Sequence, residues 1–156
     1  MKILVISDSH GFMTELRNIL KQERHCDVIM HLGDGGADML SMSEFTAGKP
    51  VYQVKGNCDI SAYNFPEKII SYIGNIKFIA CHGHRFNVKT DPSALFYAAK
   101  ENGCALALFG HTHVPFHEMY EDVELVNPGS VSNGNYCIIQ TENDSFSIIH
   151  QTIKTA

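Results

Sequence analysis

No run of lysine or arginine occurs anywhere in the chain, and its formal net charge is −5. That balance argues against a protein that coats nucleic acid by neutralising phosphates, and a nucleic-acid polymer is not an expected partner. If phosphate is handled here, the positive charge must come from something other than basic side chains. The five cysteines (Cys26, Cys58, Cys81, Cys104, Cys137) form no CxxC pair, so buried, reduced thiols are expected rather than disulfides or thiol chemistry. No apolar segment approaches the length of a membrane span. The opening MKILVIS is too short an apolar run for a signal peptide, and Asp8 interrupts it. These absences point to a cytoplasmic protein with no membrane partner. Linkers, repeats, low-complexity tracts and domain-sized insertions are also missing, and residues 1–156 read as one domain with a real core.

Against these absences stand 44% hydrophobic and 19% charged residues, an ordinary globular composition. KILVIS has the short apolar run of a strand buried on both faces. A helix is expected over 12–24, with Leu16, Ile19 and Leu20 at helical spacing, then a strand in DVIMHLG, a short helix over 36–45 and a strand in PVYQVKG. KIISYIGNIKFIACHG reads as two strands turning at Gly74-Asn75, followed by a helix around 92–102 and the strand ALALFG. The last third reads as two hairpins, turning at Glu121-Asp122 and at Asn143-Asp144. The sum is an α/β sandwich with mixed sheets and antiparallel hairpins at the C-terminus.

Five of the apolar runs finish in potential ligands. SDSH supplies Asp8 and His10, HLGD supplies Asp34, and KGNCD supplies Asn57 and Asp59. CHGH supplies His82 and His84, and GHTH supplies His111 and His113. In α/β sheets the crevice beyond the carboxyl ends of the strands is the usual binding place, and the glycines flanking most of these ends allow sharp turns or close approach. Asp, His and Asn form an oxygen-and-nitrogen donor set suited to Mn²⁺, Zn²⁺, Ni²⁺ or Fe rather than to a thiolate zinc site. Seven donors (Asp8, His10, Asp34, Asn57, His82, His111, His113) exceed the need of one ion. They suit two divalent ions about 3.5–4 Å apart sharing a carboxylate, the arrangement used for in-line displacement at phosphorus. Two such ions would supply the missing positive charge.

In these blocks the chain resembles the calcineurin-like metallophosphoesterases. The family pattern of D-x-H, G-D, G-N-H-D/E, a histidine before glycine, and G-H-x-H stands here in order. It is carried by Asp8-Ser9-His10, Gly33-Asp34, Gly56-Asn57-Cys58-Asp59, His82-Gly83 and Gly110-His111-Thr112-His113. With VNPGSV at 126–131 the chain is similar to the small, capless phosphodiesterase branch. The resemblance implies a four-layer-type α/β sandwich. It also implies one ion on Asp8, His10, Asp34 and His113, and a second on Asp34, Asn57, His82 and His111, with Asp34 bridging. A hydroxide between the ions would be the nucleophile of a phosphodiesterase. Mn²⁺ is the first candidate for both ions, with Zn²⁺, Ni²⁺ or Fe as alternatives.

One position departs from the pattern. Where the larger family has a histidine that resembles a general acid, this chain has Cys58, and a thiol is a poor proton donor to an alkoxide. Either the substrate is a diester with a good leaving group, or His84, two residues from a ligand, takes that role, which places Asp34, Asn57 and His84 among the catalytic candidates. Asp59 reads as a turn or supporting hydrogen-bonder, and His31 as either core or support. His25, His117 and His150 read as surface or hairpin residues, and the NPGS segment as a loop former. A non-catalytic scaffold like the retromer subunit of the same fold is the competing class, and a phosphomonoesterase the competing activity. The preferred substrate is a small phosphodiester. A homodimer through exposed hairpin strands is also conceivable on this pattern.

Overall fold

The apolar run Lys2–Ile6 forms β1, with Ile3 through Ile6 fully buried, as a strand covered on both faces requires. In this computed structural model, which describes residues 1–153, β1 lies inside a five-stranded sheet. It pairs in parallel with β2 (Val28–His31), which pairs in parallel with β3 (Val51–Gln53). On its other side β1 pairs antiparallel with β9 (Asn135–Glu142), whose hairpin partner β10 (Ser145–Thr152) forms the sheet's edge. The second five-stranded sheet runs in the order β4-β5-β6-β8-β7. Its members are β4 (Lys68–Ile73), β5 (Ile76–Cys81), β6 (Leu106–Leu108), β7 (Phe116–Tyr120) and β8 (Val123–Asn127). Here β5, β6 and β8 are parallel, and β4 and β7 are antiparallel flanks.

Side-chain alternation makes the layers. Ile3 and Val5 face inward with Met30 and meet Phe78, Ala80, Leu106, Leu108 and Val126 of the other sheet. Leu4 and Ile6 face outward and pack on Leu16, Ile19 and Leu20 of helix α1 (Met13–Gln22). On the far side Ile79, Cys81, Ala107 and Leu125 pack on Leu95, Phe96 and Ala99 of helix α3 (Ser93–Glu101). The result is helix, sheet, sheet, helix: the expected α/β sandwich of mixed sheets. Both expected hairpins and the turn at Gly74-Asn75 are present.

The differences from expectation are local. The segment read as one helix over 36–45 is a 3₁₀ turn (Asp38–Met42) running into a one-turn helix, α2 (Ser43–Thr46). The helix read over 12–24 spans Met13–Gln22, and Phe12 holds its N-cap position with no side-chain bond. Four cysteines are buried as expected, but Cys58 is exposed. Among the described residues no helix is long and apolar enough to cross a membrane.

Candidate metal centre

The carboxyl ends of β1, β2, β5 and β6 meet at one rim, where backbone bonds tie their loops together. Asp8 N–H donates to Gly33 O (2.9 Å), His10 N–H to Asp34 O (3.0 Å) and Gly110 N–H to His82 O (2.9 Å). The loops lie so close that a β-carbon at Gly56 would stand 2.1 Å from Asp34 Oδ1, and one at Gly110 would stand 2.0 Å from Ser7 Oγ. Five of the expected ligands take left-handed backbone conformations: Asp8, His10, Asp34, His111 and His113, with φ between 44° and 70°. Such conformations cost non-glycine residues about 1–3 kcal/mol each and persist where the surrounding structure over-determines them.

The two aspartates are the floor. Asp8 is fully buried and Asp34 is 5% exposed. Each commits one oxygen to fixed donors and offers the other to the cluster. Asp8 Oδ2 accepts from Ser7 Oγ (2.5 Å) and His111 N–H (3.1 Å). Asp8 Oδ1 faces Nε2 of His113 (3.1 Å), His10 (3.5 Å) and His82 (3.8 Å). Asp34 Oδ1 accepts from Cys58 N–H (2.8 Å), while Oδ2 faces Nε2 of His82 (3.2 Å) and His10 (3.6 Å). Among the described residues no lysine or arginine pairs with either carboxylate.

His82 shows what such a floor demands. Its Nδ1 lies 2.7 Å from Leu32 O, and a carbonyl only accepts, so Nδ1 carries a proton. Nε2 then points at Asp34 Oδ2 (3.2 Å) and at His111 Nδ1 (3.2 Å). A bare lone pair against a carboxylate is repulsive, so a proton or a metal cation belongs between them. Burial opposes a charged His82 ring, but the hydrogen bond it donates to Asp34 and the charge of Asp8 outweigh that and raise its pKa. Burial likewise opposes the Asp34 carboxylate, and His82 and the Cys58 N–H outweigh that, holding it well below the usual range. His111 is shifted down, by burial first and by the neighbouring His82 second. Two sets of donors, Asp8–His10–His113 and Asp34–His82–His111, each have their ligand atoms within 4.8 Å of one another. Buried carboxylates without basic partners, facing converging imidazoles, are the donor set of a divalent cation site, and the residues fit the metal that the sequence pattern implies.

Six of the seven expected ligands are thus brought together. The seventh, Asn57, is exposed, and its amide Nδ2 lies 3.6 Å from Cys58 Sγ. His84 stands beside the cluster, its ring 5.4 Å from that of His82 and 6.1 Å from that of His111. Its Nδ1 is buried without a hydrogen-bond partner among the described residues. Its pKa is lowered by burial and by His82. The Cys58 thiol is pushed up, by burial and then by the Asp34 charge.

Support comes from residues with quieter signals. Asp59 accepts from the N–H groups of Asp34 (3.0 Å), Gly36 (2.7 Å) and Gly56 (2.7 Å), which fixes the Asp34 loop. His31 accepts from Gly33 N–H at Nδ1 (3.1 Å), so Nε2 donates to Ser9 Oγ (2.9 Å), which donates on to Asp38 Oδ2 (2.7 Å). The His31 ring thus bridges the Gly33 and Ser9 backbone segments. Its burial pushes its pKa down to about 4. Asn127, at the end of β8, donates to Gly110 O (2.9 Å) and Thr112 Oγ1 (3.0 Å), and Ser130 Oγ donates to Asp8 O (2.9 Å). Ser7 and Asp38 have no signal in the sequence, and Asn127 and Ser130 are read there only as part of the NPGS loop, although Asn127 closes a sixth strand in a polar residue as the other five close. His117 pairs with Glu124 (2.9 Å) at the surface, but His150 is half-buried and bonds Asn127 O (2.7 Å).

The profile of the calcineurin-like phosphoesterase superfamily domain matches residues 1–150. The chain is 32% identical to the probable metallophosphoesterase YsnB of Bacillus subtilis, over 95% of this chain and 89% of that one. It is 28% identical to a phosphodiesterase of Methanocaldococcus jannaschii, over 83% of each. A crystal structure of a Streptococcus pneumoniae protein described as a predicted phosphoesterase superposes with a TM-score of 0.79 at 30% identity, covering 97% of this chain and 88% of that one. Zinc-complexed Vps29 of Entamoeba histolytica shares the fold, with a TM-score of 0.77 at 20% identity and 98% of each chain covered.

Proposed function

The chain belongs to the calcineurin-like phosphoesterase superfamily, and on that premise we propose that it is a metal-dependent phosphodiesterase with a binuclear centre. The observation that carries the reading is the pair of buried carboxylates, Asp8 and Asp34, each turning one oxygen toward several imidazole nitrogens with no lysine or arginine among the described residues to neutralise it. Asp8, His10, Asp34 and His113 would hold one ion, and Asp34, Asn57, His82 and His111 the other, with Asp34 shared. When bound, the ions supply Lewis acidity toward a phosphoryl oxygen and lower the pKa of water. The oxygen-and-nitrogen donors suit Mn²⁺ first, with Zn²⁺, Ni²⁺ or Fe as alternatives.

The protein's own groups then have distinct tasks. Leu32 O fixes the His82 tautomer so that Nε2 faces the cluster, and Ser7 and the His111 N–H pin Asp8. His84, its ring 5.4 Å from that of His82, would be the donor to a departing alkoxide. Two cavities flank the cluster. One of about 370 Å³ is lined by His10, Asp34, Asp38, Cys58 and Tyr63, and one of about 410 Å³ by Glu67, Lys68, His84, Arg85 and Phe86. Their size supports a small substrate, and the lack of a basic groove disfavours nucleic-acid polymers. Arg85 is engaged by Glu67 (3.1 Å) rather than turned to the cluster, which favours a diester over a doubly charged monoester. The reading extends to a cytoplasmic, one-domain protein, and any homodimer would pair through an edge strand such as β10.

The experiment is a panel of aryl diesters and monoesters offered to metal-stripped protein with Mn²⁺, Zn²⁺, Ni²⁺ or Mg²⁺ restored in turn. Metal-stimulated cleavage of diesters ahead of monoesters is expected. Monoester preference would revise the substrate class. No metal-stimulated cleavage at all would favour the scaffold reading, which the shared fold with Vps29 keeps in view.

A further inference from the structure

Among the described residues Cys58 is the exposed thiol; Cys26, Cys81, Cys104 and Cys137 are buried. Its sulfur is not isolated. Besides the two donor sets above, a third exists: the ligand atoms of His10, Asp34 and Cys58 all lie within 4.8 Å of one another. The backbone at this position is fixed, because Cys58 N–H donates to Asp34 Oδ1 at 2.8 Å. The Asn57 amide Nδ2 points at Sγ from 3.6 Å, so in that contact the sulfur is the electron-pair donor. Asn57, which the sequence pattern offers as an oxygen ligand, thus lies against the thiol.

We propose that Cys58 Sγ is a further donor to the ion bound by His10 and Asp34, which makes this end of the centre a mixed nitrogen, oxygen and sulfur site. The inference rests on the metal-centre reading above. As the sulfur–metal bond forms, the thiol proton leaves to solvent, as metal binding by cysteine requires. A thiolate ligand favours the softer ions Zn²⁺ and Co²⁺ over Mn²⁺ and Mg²⁺. Cys58 therefore acts on metal choice and not as the proton donor to the leaving group, and that task stays with His84.

The test uses the full-length protein, stripped of metal, kept reduced and titrated with Co²⁺. The wild type is expected to show visible cobalt bands together with an intense near-ultraviolet sulfur-to-cobalt charge-transfer band. Cys58→Ser and Cys58→Ala are both expected to keep the visible bands and lose the near-ultraviolet one. Their Zn²⁺ affinity should fall by at least about tenfold, with Mn²⁺ affinity nearly unchanged. Circular dichroism of both variants confirms folding at this exposed position. Visible cobalt bands without the charge-transfer band in the wild type, or a band that survives in both variants, would overturn the assignment and leave the metal centre standing. Failure of the wild type to bind cobalt at all would overturn both.

Discussion

The floor and the rim of the centre are built differently. Asp8, Asp34 and His82 are buried, and each has one side-chain atom tied to a backbone partner, His111 N–H, Cys58 N–H and Leu32 O respectively. His10, Asn57 and Cys58 are exposed, and no backbone group fixes their side chains. The floor carries carboxylate charge in a dry place, which calls for a cation or a protonated imidazole beside it. The rim is open and can adjust. On the proposed reading the floor sets charge and tautomer, and the rim would decide ion choice and substrate.

Breaking the floor should have the largest effect. Asp34→Asn removes the shared carboxylate charge, and metal-dependent hydrolysis should fall by at least about 10²-fold, as measured by kcat/KM on an aryl diester. The metal-free variant should also be less stable than the wild type, because His82 and the Cys58 N–H favour the charged Asp34 carboxylate in the fold. An unchanged or raised melting temperature would contradict that account.

Next comes the acid limb of stability. His31 has its pKa depressed from 6.5 to about 4, so the unfolded chain binds the extra proton between those values. Stability from this group is complete above pH 6.5 and is lost as pH falls toward 4, by about 3 kcal/mol over the window. In metal-free protein His31→Gln should flatten that part of the slope, read by urea melts at a series of pH values. An unchanged slope would place the acid sensitivity elsewhere.

A smaller effect is expected at Gly56→Ala. The added carbon would meet Asp34 Oδ1 at 2.1 Å and Asp34 N at 2.4 Å, forcing the loop apart at a cost of about 1–3 kcal/mol. Thermal unfolding checks it, and metal affinity should fall with it. Smallest in stability is the rim: His10→Ala should shift unfolding by no more than about 0.5 kcal/mol yet weaken metal binding about 10–100-fold. If calorimetry showed the reverse pattern, floor and rim would have to exchange roles.

Much of this was legible in the sequence. Strands ending in SDSH, HLGD, CHGH and GHTH announced the site because metal ligands are chemically distinctive and each interrupts an apolar run. Hairpins at Glu121 and Asn143 were legible because short polar turns between alternating strands have few other readings, and both residues do take positive φ. Sheet order was not, since the antiparallel insertion of β9 beside β1 rests on contacts 130 and more residues apart. Nor were the supports. Ser7, Ser9, Asp38 and Ser130 are residue types common at any turn, and only their three-dimensional bonds distinguish them. Asn57 matched the pattern by position, yet its side chain turns to a neighbour that the pattern does not contain.

The central claim is that Asp8 and Asp34 are kept buried because divalent cations neutralise them. Equilibrium metal binding to stripped protein, counted per chain by elemental analysis for wild type and Asp34→Asn side by side, tests it most directly. Two equivalents in the wild type and a marked loss in the variant are predicted. Equal binding by both proteins, or none by the wild type, would contradict it.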